Sequence, residues 1–163
     1  MTSGVPVDPS FSEAKAREQI LRYLVDVLRY MPPQVSLSWR NLRYPDTVFG
    51  DAHNVPCVND DTIANPPLNS NADYWMVGAP PGKTAEYFGL LVDAWKKMSW
   101  KTGVDSNGGS NSNVGRARTP DDYAFKAIDN GQGDLSISVS SPCFSHQNTG
   151  GQPLPETIAH PGS

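Results

Sequence analysis

The sequence predicts an α+β fold: an antiparallel sheet of about five strands with two amphipathic helices packed on one face, in the order α-β-β-α-β-β-β. Two segments repeat apolar residues at helical spacing, and a C-terminal segment alternates apolar and polar residues on both sides of a turn. Runs of strands without a regular alternation of strand and helix favour an antiparallel sheet. The chain has 163 residues, enough for one domain with its own core.

The first helix is predicted between Ser10 and Met31. Ser10 and Glu13 have the spacing of a capping box, in which each side chain satisfies an amide at the helix start. Apolar residues then recur at 3.6-residue spacing: Ile20, Leu21, Leu24, Val25, Leu28 and Met31. Pro32 and Pro33 end the helix, because proline lacks the amide donor and clashes with the preceding turn.

A first strand is predicted at residues 35–39, where "VSLSW" alternates apolar and polar side chains. Residues 41–72 are rich in Pro, Asn and Asp, and this stretch is too long for an ordinary connection. A short strand is expected inside it, near Val48-Phe49 or at residues 55–58. The sequence alone gives no role for this long loop.

The middle of the chain predicts a strand, a helix and a second strand. The strands are expected at residues 73–77 and 99–104, and the helix at residues 84–98. The helix carries one apolar face: Phe88, Leu91, Val92, Trp95 and Met98. Residues 105–113, "DSNGGSNSN", form a polar, glycine-rich loop tip.

The last two strands are predicted on either side of Asn130-Gly131, within residues 121–141. Leu135, Ile137 and Val139 point to one face and the serines between them to the other, so the sheet buries one face and wets the other. The expected domain spans residues 10–145, after a flexible linker at 1–9. Residues 146–163 have no periodicity and are expected to be a disordered tail.

Composition and charge exclude several classes of protein. Hydrophobic residues make up 37% of the chain, and Pro (15) and Gly (14) are plentiful, which indicates long irregular connections. The net charge is −4 and Lys and Arg form no long run or stripe, so no nucleic-acid partner is expected. No apolar stretch approaches the roughly 20 residues that span a bilayer. The first ten residues do not resemble a signal peptide.

The segment "GAPPGKT", residues 78–84, superficially resembles a phosphate-binding loop. Only three residues separate Gly78 from Gly82, where the motif needs four, and Pro80 and Pro81 lack the amides that bind phosphate. The segment is instead predicted to be a strand-to-helix turn. We therefore expect neither ATP nor any other cofactor.

The two cysteines, Cys57 and Cys143, are expected to form a disulfide. Their even number and their positions, in a loop and at a strand end, favour a bridge in a secreted protein. An alternative is a zinc site in which His53 and His146 join the two cysteines, although neither half has the usual paired-cysteine spacing. The preferred prediction is the disulfide and no metal.

Evidence for catalysis is thin, and no catalytic residue is predicted. One alternative is a hydrolase that uses the region of Asp51, His53 and Cys57, with the thiol as nucleophile. The other candidate site is a cleft between helix and sheet lined by Trp75, Trp95 and Trp100, which would bind an apolar or sugar ligand.

Three motifs carry a resemblance to a known family. They are residues 119–123 ("TPDDY"), residues 133–137 ("GDLSI") and residues 141–144 ("SPCF"). Together with "LRYLVDVLRYMPP" and "VDAWKKMSWKTG", they resemble the small Lpp-type cell-envelope lipoproteins of mycobacteria and related actinobacteria. The resemblance covers roughly residues 11–145. Asp122 stands where that family has a turn glycine, and this chain shows no lipobox cysteine or signal peptide.

The resemblance implies an extracytoplasmic, non-enzymatic domain of the cell envelope that is lipid-anchored in its full-length form. An oxidising compartment of this kind agrees with the predicted disulfide. The expected partner is an envelope protein, a lipid or a glycan, and the membrane is reached only through an anchor that this chain does not contain. A structural adaptor module is the remaining alternative.

Overall fold

The computed structural model describes residues 7–58, 62–106 and 112–162. Within these ranges the chain forms two helices and eight strands. In chain order they are α1 (Glu13–Arg29), β1 (Ser36–Ser38), β2 (His53–Pro56), β3 (Leu68–Val77), α2 (Thr84–Lys97), β4 (Lys101–Ser106), β5 (Asn113–Arg118), β6 (Ala124–Asp129), β7 (Leu135–Ser140) and β8 (Thr157–Ile158).

The strands form one antiparallel sheet in the order β4-β5-β6-β7-β3-β1-β8. The long strand β3 also pairs with β2, which lies opposite the first four residues of β3, whereas β1 lies opposite the last three. The predicted hairpin around Asn130-Gly131 is confirmed as β6 and β7.

A single core lies between the helices and one face of the sheet. In the central strands buried side chains alternate with less buried ones, as in β7, where Leu135, Ile137 and Val139 are buried between serines. The helices contribute the apolar positions expected from their periodicity, including Leu24 and Trp95, both 0% exposed. The α+β class and both helices are confirmed.

The predicted number of strands is too low. The structure has eight in the described ranges, because β5 and β8 were not predicted and the short strand expected within residues 41–72 was left out of the count. That short strand is β2, which overlaps the alternative at residues 55–58. Strand β5 gives little apolar signal, since its inward positions are Gly115 and Ala117. A Cβ at Gly115 would lie 3.2–3.3 Å from side-chain atoms of Trp95, Phe88 and Val92, so the small residue makes room for α2. Most of the predicted loop tip, residues 107–111, lies outside the described ranges.

Strand β3 is twice as long as predicted and begins at Leu68. Its first inward positions are Ser70 and Ala72, which carry little apolar surface. Buried Ser70 is satisfied by its neighbours: its amide donates to Ser141 Oγ (3.0 Å), and its hydroxyl donates to Asn54 Oδ1 (2.7 Å). This part of β3 is therefore held by hydrogen bonds of buried polar groups, and it lacks the alternation of apolar residues on which the prediction depended.

The expectation of a disordered C-terminal tail is wrong. Strand β8 pairs with β1, the Trp39 amide donates to the Glu156 carbonyl (3.0 Å), and the Tyr74 hydroxyl donates to the Pro155 carbonyl (2.7 Å). Leu154 and Ile158 are each 5% exposed and join the core. Two isolated apolar residues produce no periodicity, yet each fills a place in the core that the rest of the chain leaves open. Of the predicted linker 1–9, residues 1–6 lie outside the described ranges.

The cap of α1 differs from the predicted capping box. The N-cap is Ser12, whose hydroxyl accepts from the Lys15 amide (3.2 Å). Glu13 instead lies buried and accepts three donors: Arg17 Nε (2.7 Å), Asn54 Nδ2 (3.0 Å) and the Gly150 amide (2.8 Å). The start of α1 is therefore tied to β2 and to the C-terminal segment.

Candidate functional site

A groove of about 850 Å³ lies between the first three turns of α1 and the end of the sheet where β6 begins and β7 ends. This volume is within the range of small-molecule sites. The helix contributes Phe11, Lys15, Glu18, Gln19 and Arg22, together with Asp8 before it. The sheet side contributes Asn69, Arg118, Asp121, Asp122, Tyr123, Ala124 and Ser140–Cys143.

The helix wall follows from helical spacing. Lys15, Glu18 and Arg22 are separated by three and four positions, so they lie along one side of α1, and Phe11 lies just before the N-cap of the helix. The Phe11 ring also contacts the fully buried Phe144 ring, with centroids 6.2 Å apart. The base of the helix wall is therefore fixed to the residue that follows Cys143.

The opposite wall is the turn between β5 and β6. The Thr119 amide donates to the Tyr123 carbonyl (2.9 Å), and the Thr119 hydroxyl donates to Asp121 Oδ1 (2.7 Å) and accepts from the Tyr123 amide (2.8 Å). Asp122 has φ of +75°, a left-handed conformation that favours glycine. This position is where the resembled family has a turn glycine, so the turn geometry accounts for that residue type.

A hydrogen bond joins the two walls. The Tyr23 hydroxyl of α1 donates to Asp121 Oδ1. Burial, followed by this contact with an acceptor carboxylate, raises the pKa of Tyr23 to about 12. The hydroxyl therefore stays protonated at neutral pH and holds the turn against the helix.

Charges of both signs line the groove. Lys15, Arg22 and Arg118 stand with four carboxylates, those of Asp8, Glu18, Asp121 and Asp122. The Arg118–Asp122 ion pair (2.8 Å) has side chains 56% and 70% exposed, so it contributes little to stability and can rearrange around a ligand. The groove presents donors, acceptors and an aromatic ring to one ligand.

Cys57 and Cys143 form the predicted disulfide, with Cα atoms 6.4 Å apart. The bridge joins the end of β2 to the segment after β7, beside the groove that Cys143 lines. A bonded cysteine provides neither a thiolate ligand nor a nucleophile. The zinc alternative with His53 and His146 therefore loses two of its four ligands.

The hydrolase alternative loses its nucleophile for the same reason. Its two other residues, Asp51 and His53, have different surroundings. The Asp51 carboxylate accepts from Arg17 Nη1 (2.9 Å) and from the amides of Ala52 (2.7 Å) and Leu154 (2.8 Å). His53 is exposed on β2. The structure gives Asp51 a structural role that holds the C-terminal segment to α1.

Of the three tryptophans predicted to line one cleft, Trp95 and Trp100 lie together in the core, where both rings pack against Phe125, and Trp75 lies apart from them. Trp95 is fully buried in the core, and Trp100 packs against Phe125 with ring centroids 4.8 Å apart. Trp75 points to the other face of the sheet, because it alternates with the buried Tyr74 along β3. There Phe49 and Tyr44 stack on it, at 4.9 and 5.6 Å. The long loop thus has a structural role: it covers Trp75.

The segment 78–84 is confirmed as a turn between β3 and α2. Gly78 has φ of +102° and lies against the residues just before β1: a Cβ there would be 2.2 Å from the Gln34 carbonyl oxygen. Gly82 has φ of +79° with nothing within 4 Å of the Cβ position. Lys83 is the N-cap of α2, its side chain exposed. The positive φ therefore favours glycine at both positions, and at Gly78 the close packing requires it as well.

Replacing Gly78 with alanine is expected to lower the free energy of unfolding by about 2–4 kcal/mol, from left-handed strain and from the clash with the Gln34 backbone. Gly82→Ala is the matched control and is expected to lose only about 1 kcal/mol, because strain acts there alone. Urea denaturation of both variants measures the difference. Equal losses would mean that the close approach at Gly78 does not matter.

Sequence reasoning missed the groove, although part of the signal was present. The charged residues Lys15, Glu18 and Arg22 have helical spacing, but a polar helix face is ordinarily a solvated one. The sheet residues of the groove come from four separate segments between 69 and 143. Only the pairing of β3, β6 and β7 brings them to one place.

No helix in the described ranges is long and apolar enough to cross a membrane. No protein-family model matches the chain. No curated protein sequence matches it either. Its fold is similar to the crystal structure of the putative lipoprotein LppA from Mycobacterium tuberculosis, with a TM-score of 0.52 and 16% sequence identity over 84% of this chain and 80% of that one. At this identity the likeness establishes the fold.

Proposed function

We propose that this chain is a non-catalytic binding domain of a cell-envelope lipoprotein, located outside the cytoplasmic membrane, and that the groove between α1 and the sheet holds a glycan. The observation that carries the proposal is the composition of the groove wall. Amide, hydroxyl, ammonium, guanidinium and carboxylate groups surround it together with the Phe11 ring. Sugars combine many hydroxyl donors and acceptors with an apolar face, and this wall matches both.

Two features support the rest of the proposal. The fold is shared with LppA, which is named as a putative lipoprotein, and the three motifs of the Lpp-type proteins occupy structural positions in this chain. The motif at 119–123 forms the β5–β6 turn, and Cys143 of the closing motif forms the disulfide beside the groove. A disulfide is typical of proteins in an oxidising, extracytoplasmic compartment.

The groove is tested by the double variant Glu18→Ala/Arg22→Ala, with neutral maltohexaose, cellohexaose and chitohexaose as probes in calorimetric titrations. Both residues are exposed on α1, and alanine favours the helix, so the fold is preserved. We expect about tenfold weaker binding of any probe that the native domain binds, since two polar contacts are removed.

The matched control is Asp26→Ala/Arg29→Ala on the same helix. This pair (3.5 Å) makes the same change in charge and does not line the groove. Its affinity is expected to stay that of the native domain. Equal losses in both double variants would contradict a glycan groove. Binding of none of these probes and of no acidic hexasaccharide would also contradict it, and would favour the adaptor alternative.

A further inference from the structure

We propose that the glycan is acidic and that its anionic groups bind a basic depression on the open face of the sheet, formed by Lys101, Arg116, Arg118 and Lys126. This inference rests on the proposed function, because it identifies the chemical class of the ligand held by the groove. The open face is the one that the helices leave uncovered.

The depression has a volume of about 580 Å³, and its lining contains four cations and no carboxylate. The chain as a whole has a net charge of −4, so this concentration of positive charge runs against the overall balance. The side chains of Arg116 and Arg118 are 58% and 56% exposed, and both lysines are exposed. The four cations are not adjacent in the sequence, and they form a cluster only because the strands pair.

Strand register places like charges directly opposite one another. Lys101 faces Arg118 across β4 and β5, and Arg116 faces Lys126 across β5 and β6. Directly opposed like charges destabilise an antiparallel pair. Two such pairs side by side weaken the sheet, and a bound anion would reverse that effect. Places where a chain breaks a local rule of stability are commonly functional sites.

The carboxylates nearby leave this positive charge available. Asp105 pairs with Arg116 (2.8 Å) and Asp122 with Arg118 (2.8 Å), but each pair is exposed and weak. Asp73 of β3, opposite Ser138, accepts from the Ser138 hydroxyl and forms no ion pair within the described ranges. Within the described ranges no ion pair involves Lys101 or Lys126. A ligand anion therefore finds two unpaired ammonium groups and two guanidinium groups with easily exchanged partners.

The floor of the depression is made of small residues. Gly103, Ala124, Ser138 and Ser140 lie among the long cationic side chains, so a ligand can lie flat on the strands. An extended chain that enters the depression reaches all four cations, while the Ser138 and Ser140 hydroxyls already donate to Asp73 Oδ1 and Asn71 Oδ1 of β3. A flat bilayer surface contacts only what protrudes, so the shape favours an acidic glycan over anionic lipid headgroups.

The depression is continuous with the groove. Arg118, Ala124 and Ser140 line both. A linear oligosaccharide can therefore lie with one end against α1 and the other across β4, β5 and β6. The groove recognises the sugar, and the basic depression recognises its carboxylates or phosphates.

The test compares hexagalacturonate with its methyl ester, which has the same sugars without the charges. In the double variant Lys101→Glu/Lys126→Glu, both like-charge pairs become opposite-charge pairs. We expect affinity for hexagalacturonate to fall about tenfold or more, while affinity for the ester is unchanged. The melting temperature is expected to hold or rise, because the cross-strand repulsion is gone. Added salt should weaken binding of the acid and leave the ester unaffected.

Lys83→Glu/Lys97→Glu is the matched control: it changes the net charge equally, at exposed positions outside the depression. Equal loss of hexagalacturonate binding in this control, or no loss in Lys101→Glu/Lys126→Glu, would overturn the inference. A markedly lower melting temperature of the latter would also overturn it, as would tighter binding to anionic phosphatidylglycerol vesicles than to hexagalacturonate.

The outcomes also separate this inference from the proposed function. If the ester binds in a manner that depends on Glu18 and Arg22 while acid and ester bind equally, the acidic ligand is wrong and the groove stands. If hexagalacturonate binding depends on Lys101 and Lys126 but not on Glu18 and Arg22, the groove and its continuity with the depression are wrong.

Discussion

Replacing Cys57 and Cys143 together with serine is expected to lower the free energy of unfolding by about 4 kcal/mol, since the bridge closes a long loop in the unfolded chain. The two cysteines are 86 positions apart. The bridge also fixes the segment after β7 to the end of β2, beside residues that line the groove. We therefore expect the loss of stability to be accompanied by weaker ligand binding.

Urea denaturation of the native protein and the double serine variant measures the change. Native protein unfolded in the presence of a reductant is the control and should match the variant, because both lack the same cross-link. A loss below about 1 kcal/mol in the variant would show that the bridge adds little to the fold, contrary to the loop-closure argument.

The second large effect is expected at Arg17, where methionine would lower the free energy of unfolding by about 3–5 kcal/mol by leaving the buried Glu13 carboxylate without its charged partner. The Arg17 side chain is 11% exposed and that of Glu13 is 7% exposed, and their atoms are 2.7 Å apart. Arg17 also donates to Asp51 (2.9 Å) and to the Ala52 carbonyl (3.1 Å). Methionine keeps the packing of the stem, so the loss reports the network.

Arg29→Met is the control for this variant. Arg29 lies on the same helix with its side chain 59% exposed, in a pair with Asp26 at 3.5 Å. Its replacement is expected to change stability by less than about 0.5 kcal/mol. Similar losses at Arg17 and Arg29, measured by urea denaturation, would contradict the role given to the buried network.

The same network predicts a dependence on pH. Burial opposes ionisation of Glu13, but the hydrogen bonds from Gly150, Asn54 and Arg17 outweigh it and hold its pKa below the ordinary value. The pKa of Asp134 is also held below its ordinary value. Burial of its side chain, which is 2% exposed, opposes ionisation, but contacts with four residues outweigh it: Asn130, Tyr44, Asn41 and Arg43. A carboxylate with a lowered folded pKa stabilises the fold above its unfolded pKa and ceases to do so as the pH falls through the folded value.

Stability of the native domain is therefore expected to fall as the pH drops below about 5. In Arg17→Met this fall should be smaller, because Glu13 has lost one of the contacts that lower its pKa, while Asp134 keeps its own. Melting curves from neutral to acidic pH measure both slopes. Parallel slopes in the two proteins would mean that Glu13 does not contribute.

The elements that the sequence predicted correctly are those with a strong apolar period. Helix α2 carries Phe88, Val92 and Trp95 on one side, and β7 alternates Ile137 and Val139 with serines. The missed strand β5 has Gly115 and Ala117 inward, so its burial depends on what the helix above needs and not on its own hydrophobicity. Local sequence patterns indicate which residues are apolar. They do not indicate that a small residue is needed because another element packs closely there.

The binding surfaces were missed for a related reason. Arg116 and Arg118 become a cluster only when β4 brings Lys101 and β6 brings Lys126 beside them. The tryptophans gave the opposite error: side chains of similar chemistry were expected to meet, but Trp75 and Trp95 lie on opposite faces of the sheet. The disulfide was predictable, because two cysteines in a chain of this kind have one simple pairing.

The measurement that tests the central claim most directly is an NMR titration of the oxidised, 15N-labelled domain with hexagalacturonate and with its methyl ester. A binding domain of the kind proposed shows amide shifts at Phe11, Gln19, Ala124 and Ser140 with both ligands, shows further shifts at Arg116 and Lys126 with the acid alone, and leaves both ligands intact. Shifts confined to other parts of the domain, no shifts at all, or cleavage of the ligand would contradict it.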